Sequence, residues 1–220
     1  MPNRIKIYRP KETRAQLKDI ECSLFKKGYN NIAGTDEAGR GPLAGPVVAA
    51  AVIIPKGVTI SNLNDSKKLT KNQRETLFEE IAASGAICAV GVIDNETIDR
   101  INILRASLLA MQKAILSLEI KPDFILVDGT FTVPNVTTPQ MAIIGGDAIC
   151  DSISAASIIA KVTRDRIMDK YQELYPDYTF ANHRGYPTKR HLDELKNFGP
   201  TDIHRKTFRP VEKLLNKSLF

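Results

Sequence analysis

Four carboxylates in this 220-residue chain stand where sheet-based chemistry is commonly built. Asp36 and Glu37 interrupt the small-residue, apolar stretch GTDEAGRGPLAG at 34–45, Asp128 ends the apolar run FILV, and Asp147 ends AIIGG. A single aspartate after a strand usually turns the chain or caps a helix. Four acids at three strand ends form a pattern of another kind. No His or Cys accompanies them, so the set consists of hard oxygen donors suited to Mg²⁺ or Mn²⁺. Without a cation the carboxylates would repel one another and one would take up a proton. Two such ions about 3.5–4 Å apart can activate water and neutralise a phosphodiester as it reacts. Gly39 and Gly41 flank Arg40 and, having no Cβ, let backbone approach a sugar or phosphate. Adjacent strand residues point to opposite faces, so turning both Asp36 and Glu37 inward calls for an irregularity, which Ala38–Gly41 could supply.

The charge distribution suits such a ligand. Residues 1–30 hold eight Lys/Arg against three Asp/Glu, residues 31–160 ten against fourteen, and residues 161–220 thirteen against eight. Basic flanks over an acidic centre would hold a polyanion, with metal between the carboxylates and phosphate. Uneven surface charge is the plainer alternative. The longest mainly apolar run, Leu43 to Ile54, is cut by Gly45 and Pro46. It falls short of the roughly 18 residues of a membrane span, so none is expected. The charged N-terminus lacks an apolar signal region, and a cytoplasmic location is expected. Cys22, Cys88 and Cys150 are widely spaced without a C-x-x-C pair, which suits buried free thiols.

The elements that must position the acids follow from periodicity. Residues 12–28 read as a short helix; IAGTD, VVAAAVIIP and AICAVGVID read as strands separated by turns. Thr70 to Gln73 is a capping box opening a helix. A helix from about Glu96 to Leu118 carries Ile101, Leu104, Leu108, Met111 and Ile115 at helical spacing. FILVDG and AIIGGD read as buried strands, Ser152 to Tyr171 and Thr188–Asn197 as helices. The expected division is an N-terminal helical extension at 1–30, a core at 31–175 with a mixed sheet flanked by helices, and a helical cap at 176–220.

The quoted residues resemble the type 2 ribonuclease H family. The resemblance rests on GTDEAGRGPLAGPVVAAAVI at 34–53, NDSKKLT at 64–70, INILRASLLAM at 101–111, ILVDG at 125–129, GDAICDSISAASIIAKVTRDRIM at 146–168, and HRGYPTKRHL with GPTDIHRKTFRPV at 183–192 and 199–211. These blocks come in the family's order and cover most of the chain from Ile32. The resemblance implies an α/β fold, an RNase H-like mixed five-stranded sheet with a helical C-terminal region. It also implies a monomeric endonuclease that cuts the RNA strand of RNA/DNA hybrids and cuts 5′ of single ribonucleotides embedded in duplex DNA, with two Mg²⁺ or Mn²⁺ ions. The products would carry 5′-phosphate and 3′-hydroxyl ends. Carried over by position, Asp36, Glu37, Asp128 and Asp147 are the metal-binding, catalytic acids, with Asp151 a rival for the last place. Gly39, Arg40 and Gly41 would contact the ribose 2′-OH, which separates RNA from DNA. Tyr186 would pack on the adjoining sugar. Lys67 and Lys68, with Ser157, Lys161 and Arg164, would contact backbone phosphates, although paired lysines are often a solvated face. His183, His191 and His204 read as structural. Gly145, Arg184, Thr130 and Phe131 depart from the family's usual residues. Two other readings stand beside this one: a nuclease of similar fold acting on long hybrids or DNA junctions only, and a catalytically silent nucleic-acid-binding module.

Overall fold

The computed structural model describes residues 7–8, 19–63 and 69–217. Within them the chain runs β1 (Ile7–Tyr8), α1 (Asp19–Lys26), β2 (Ile32–Ala38), β3 (Val47–Ile53), α2 (Lys71–Ala83), β4 (Ile87–Ile93), α3 (Asn95–Ile101), α4 (Ile103–Leu116), β5 (Phe124–Asp128) and β6 (Gln140–Ile143). After a 3₁₀ turn at Gly146–Ala148 come α5 (Asp151–Leu174), α6 (Phe180–His183), α7 (Lys189–Phe198) and α8 (Arg209–Lys217). The strands form one mixed sheet in the order β1-β6-β5-β2-β3-β4. The five longer strands are those the sequence leads one to expect; the two-residue β1 adds a short edge beside β6.

β3, VVAAAVI, is buried at all seven positions because helices cover both faces of the sheet. Ala49, Ala51 and Ile53 point into one core with Ala110, Met111 and Ala114 of α4. Ala50 and Val52 point into the other, with Ala155, Ile158 and Ile159 of α5 and Leu77 and Ile81 of α2. Gly34 is what lets α5 approach β2, since a Cβ there would lie 2.2 Å from the Ser152 carbonyl carbon. It also fixes the faces: even-numbered residues of β2 look toward α5 and odd-numbered ones toward α4.

Local signals explain the helix limits. Thr70 accepts from the Gln73 amide while the Gln73 side chain accepts from the Thr70 amide, closing the expected capping box. The helix expected from Glu96 to Leu118 is two. Asn102 takes a left-handed φ of +67°, ends α3, and its side chain caps α4 through the Arg105 amide at 3.1 Å. With ψ at 163° this is an extended positive-φ conformation that side chains seldom adopt, so a residue with no helical signal redirects the chain at a cost in backbone strain. Only part of the helix expected at 12–28 lies within the described residues, as α1. Its Glu21 accepts from the Asp151 amide at 3.0 Å and the Ser152 amide at 3.1 Å, capping α5 from another element. Two of the three thiols expected to be buried are exposed, Cys22 and Cys88; Cys150 is buried. Among the described residues no helix is long and apolar enough to cross a membrane.

Candidate active site

β2 and β5 run side by side and parallel, in register from Ile32 with Phe124 to Thr35 with Val127. One step further, Asp36 and Asp128 emerge together at the same end of neighbouring strands. This is the crevice where sheet-based sites collect ligands. Asp36, Glu37 and Asp128 line one cleft of about 480 Å³ together with Gly39, Arg40, Gly41, Arg74, Ser157, Lys161 and Tyr186.

No irregularity within β2 is needed to bring both acids there. The β2–β3 ladder stays regular through Asp36 with Ala50, Glu37 with Ala49 and Ala38 with Val48. Asp36 faces α5 and Glu37 the opposite side, and the cleft reaches around the strand end to touch both. The bend follows, at Gly39, where φ is +98°. Asp36 is buried, and its Oδ1 accepts from the Glu37 amide at 2.7 Å. Burial, then repulsion from Asp128 and Glu37, pushes its carboxyl well above the usual range, against hydrogen bonds from the Ser157 hydroxyl and the Glu37 amide. Glu37 is partly covered and meets the half-exposed Arg40 guanidinium at 3.1 Å. Asp128 Oδ1 accepts from the Gly146 amide at 2.7 Å, which ties β5 to the turn carrying Asp147.

Asp147 is buried, but it belongs to the 3₁₀ turn rather than to the strand end expected of it. β6 stops at Ile143, and Gly145, at a left-handed φ of +68°, starts the turn. Asp147 does not line the cleft with the other three acids. Among the described residues no three His, Cys, Asp or Glu side chains stand together as a ready-made metal cage. The donor chemistry nonetheless fits a hard cation. Three carboxylates line one cleft, burial and then repulsion from the other two raise the pKa of Asp36, and a divalent ion relieves that repulsion. Mg²⁺ is usually held by one or two carboxylates together with water and substrate phosphate, not by an all-protein cage.

The basic contacts divide. Lys161 lines the cleft and pairs with Asp165 at 2.6 Å; burial lowers its pKa. Ser157 lines it too, with its hydroxyl engaged by Asp36. Lys67 and Lys68 lie outside the described residues. Arg164 corrects the expectation of a phosphate contact: it is 1% exposed and donates to the main-chain carbonyls of Pro46, Arg184 and Ala44. Its position on α5 explains why. Arg164 follows Lys161 by three residues but turns under the loop after β2 rather than into the cleft. Arg74, in the first turn of α2, does line the cleft. Sequence reasoning passed over it because it sits in an ordinary helix-opening pattern beside the more conspicuous lysine pair.

Gly39 and Gly41 lack a Cβ for different reasons. A Cβ on Gly39 would lie 2.2 Å from Arg164 Nε, inside the protein. At Gly41 it would meet only the Tyr186 ring, at 3.6 Å, an ordinary contact. Tyr186 is 39% exposed and stands over the glycine loop. Its main chain is held by histidines. His191 Nδ1 donates to the Tyr186 carbonyl at 2.9 Å, and His191 Nε2 meets His204 Nε2 at 3.0 Å. His204 Nδ1 accepts from the Thr201 amide, and His183 Nδ1 from the Gly185 amide, while His183 Nε2 faces Glu194 at 2.9 Å. Every bond is made if all three rings are neutral, with His204 donating to His191. Burial pushes their pKa values down, to about 4 for His191 and about 3 for His204. The histidines stay outside the acid cluster, as the sequence suggests.

A mixed α/β sheet delivering carboxylates from adjacent strand ends, beside a glycine loop and basic side chains, is a ribonuclease H-like architecture. The structure superposes on the ribonuclease H2 from Pyrococcus horikoshii OT3 with a TM-score of 0.70 at 30% identity, covering 85% of this chain and 98% of that one. It superposes on the structure of a PCNA:RNase HII complex from Archaeoglobus fulgidus with a TM-score of 0.68 at 27% identity, covering 81% and 95%. The chain is 50% identical over 207 residues to the ribonuclease HII of Geobacter sulfurreducens, covering 94% of this chain and 95% of that relative. The family model for Ribonuclease HII matches residues 33–211. The chain therefore belongs to the ribonuclease HII family and is an RNase H-type endonuclease.

Proposed function

We propose that the protein cuts 5′ of single ribonucleotides embedded in duplex DNA, and cuts the RNA strand of RNA/DNA hybrids, leaving 5′-phosphate and 3′-hydroxyl ends. The observation that carries this reading is one cleft lined at once by Asp36, Glu37, Asp128, the Gly39–Gly41 loop and Tyr186. Asp36, Glu37 and Asp128, joined by Asp147 from the adjoining turn, would hold Mg²⁺ or Mn²⁺. Such ions, when bound, supply charge neutralisation and an activated water for phosphodiester hydrolysis. The rest falls to the chain's own groups. Arg74 and Lys161 attract and orient the phosphate backbone from the cleft wall. The Ser157 hydroxyl keeps the buried Asp36 carboxyl in place. Backbone at Gly39–Gly41 reads the ribose 2′-OH, and the Tyr186 ring, packed on the following sugar, tolerates 2′-H and crowds 2′-OH.

The test is cleavage of a duplex carrying one ribonucleotide, with Mg²⁺, Mn²⁺ and EDTA compared, against an all-DNA duplex and a continuous RNA strand paired to DNA. Cleavage at the ribonucleotide in either metal and none in EDTA is expected. Activity on the continuous hybrid alone would favour the narrower reading, a nuclease of long hybrids. Gly41→Ala sharpens the test because the protein itself accommodates the methyl. It should fold normally and lose about tenfold or more in kcat/KM on every ribonucleotide-containing duplex.

A further inference from the structure

Arg164 and Arg205 are the largest of the fully buried side chains, 1% and 0% exposed. Their partners are main-chain carbonyls. Arg164 donates through Nε to Pro46 at 2.9 Å, through Nη1 to Arg184 at 3.0 Å and through Nη2 to Ala44 at 3.1 Å. Arg205 donates through Nε to Gly45 at 3.0 Å, through Nη1 to Arg40 at 3.0 Å, and through Nη2 to Gly39 at 2.6 Å and Pro46 at 3.2 Å. Six of these seven bonds end on the segment 39–46, and both guanidiniums converge on the Pro46 carbonyl.

Placing two like charges there is costly. Burial lowers the pKa of Arg164 to about 10 and that of Arg205 to about 9. Apolar side chains would fill the same space without that cost, so what the guanidiniums contribute is a rigid fork of donors. The fork has a directional consequence. The described peptides are all trans, so a carbonyl and the amide of the next residue point in opposite directions from one plane. With the Gly39 and Arg40 carbonyls gripped from below by Arg205, the amides of Arg40 and Gly41 face away from the guanidinium. Those residues line the cleft. Gly39 is the point of closest approach, where a Cβ would displace Arg164.

We propose that Arg164 and Arg205 are positioning residues, a buried pair that draws the carbonyls of residues 39–46 inward and so aims the Arg40 and Gly41 amides at the ribose 2′-oxygen. This rests on the reading of the cleft given above. The variants are Arg164→Lys and Arg205→Lys, which keep the charge and lose the fork. Two measurements are made on each: amide hydrogen exchange across residues 39–46, and binding in Ca²⁺ buffer to two duplexes that differ by a single 2′-hydroxyl. The expected result is exchange about tenfold faster in that segment with β5 unchanged, and a preference for the ribonucleotide duplex reduced about tenfold or more. The salt dependence of binding to all-DNA duplex should stay as in the wild type. Unchanged exchange, or unchanged preference, overturns the proposal. So does an equal loss on both duplexes with the salt slope reduced by about one, the signature of a phosphate contact. A wild type with no preference at all refutes the cleft's reading instead, and the exchange data then report on the clamp by themselves. Should one lysine variant fail to fold, the other carries the same expectation.

Discussion

Asp36 shows at the residue scale how function is built against stability. It is buried, faces two other carboxylates and is held by one hydroxyl and one amide. Asp36→Asn keeps the shape and the acceptor for the Glu37 amide but removes the charge. Turnover should be abolished with duplex binding roughly intact. The metal-free protein should gain stability, about 1.4 kcal/mol for each pK unit by which burial and repulsion raise the carboxyl, seen as a raised Tm. Normal cleavage by this variant would remove Asp36 from the metal site; a lowered Tm would show that the repulsion is already offset. Arg74 makes the opposite case, a residue whose value lies in net attraction. Arg74→Ala and Lys161→Ala should each flatten the salt dependence of duplex binding by about one unit, if each touches a phosphate. Arg164→Lys should not.

Among the elements, α5 bears on the site most directly. It carries Ser157, Lys161 and Arg164, and its first turn is capped by Glu21 from α1. Both amides at that end and the Ser152 hydroxyl converge on one carboxylate. Glu21→Ala should cost about 1–2 kcal/mol in thermal unfolding, and Glu21→Gln, which keeps one acceptor, less. Equal stability of all three proteins would show that the cap is dispensable. This contact gives α1 a task that residues 1–30 did not reveal, because a cap supplied across 130 residues leaves no local pattern. β3 and β5 were legible because burial on both faces writes unbroken apolar runs. The break at Asn102 was not, since the apolar spacing continues through it and only the backbone's left-handed turn divides α3 from α4. Asp36, Glu37 and Asp128 could be placed in one cleft from their strand-end positions. Arg164 could not, because a helical spacing says which side of α5 a residue takes but not whether water or carbonyls meet it there.

The whole molecule depends on a C-terminal part that carries none of the four acids. His183, His191 and His204 form a buried network of neutral rings under Tyr186. Burial lowers their folded-state pKa values below the usual 6.5, so below pH about 6.5 the unfolded chain takes up protons that the folded one refuses. Stability should hold above that pH. It should fall toward pH 4, by up to about 1.4 kcal/mol per pH unit for each histidine. His191→Gln should flatten the fall in a series of Tm measurements; an unchanged slope would place the titration elsewhere. The same region supplies Arg205, whose bonds to Gly39, Arg40, Gly45 and Pro46 span 159 to 166 residues. A chain is made from its N-terminus, at about 5–20 residues per second. All four acids have been synthesised by residue 147, yet the loop beside them acquires its bonds from Arg205 only once residue 205 has left the ribosome. On the reading proposed above, an interrupted product would carry the acids without the clamped loop, and discrimination would be the last property the growing chain acquires.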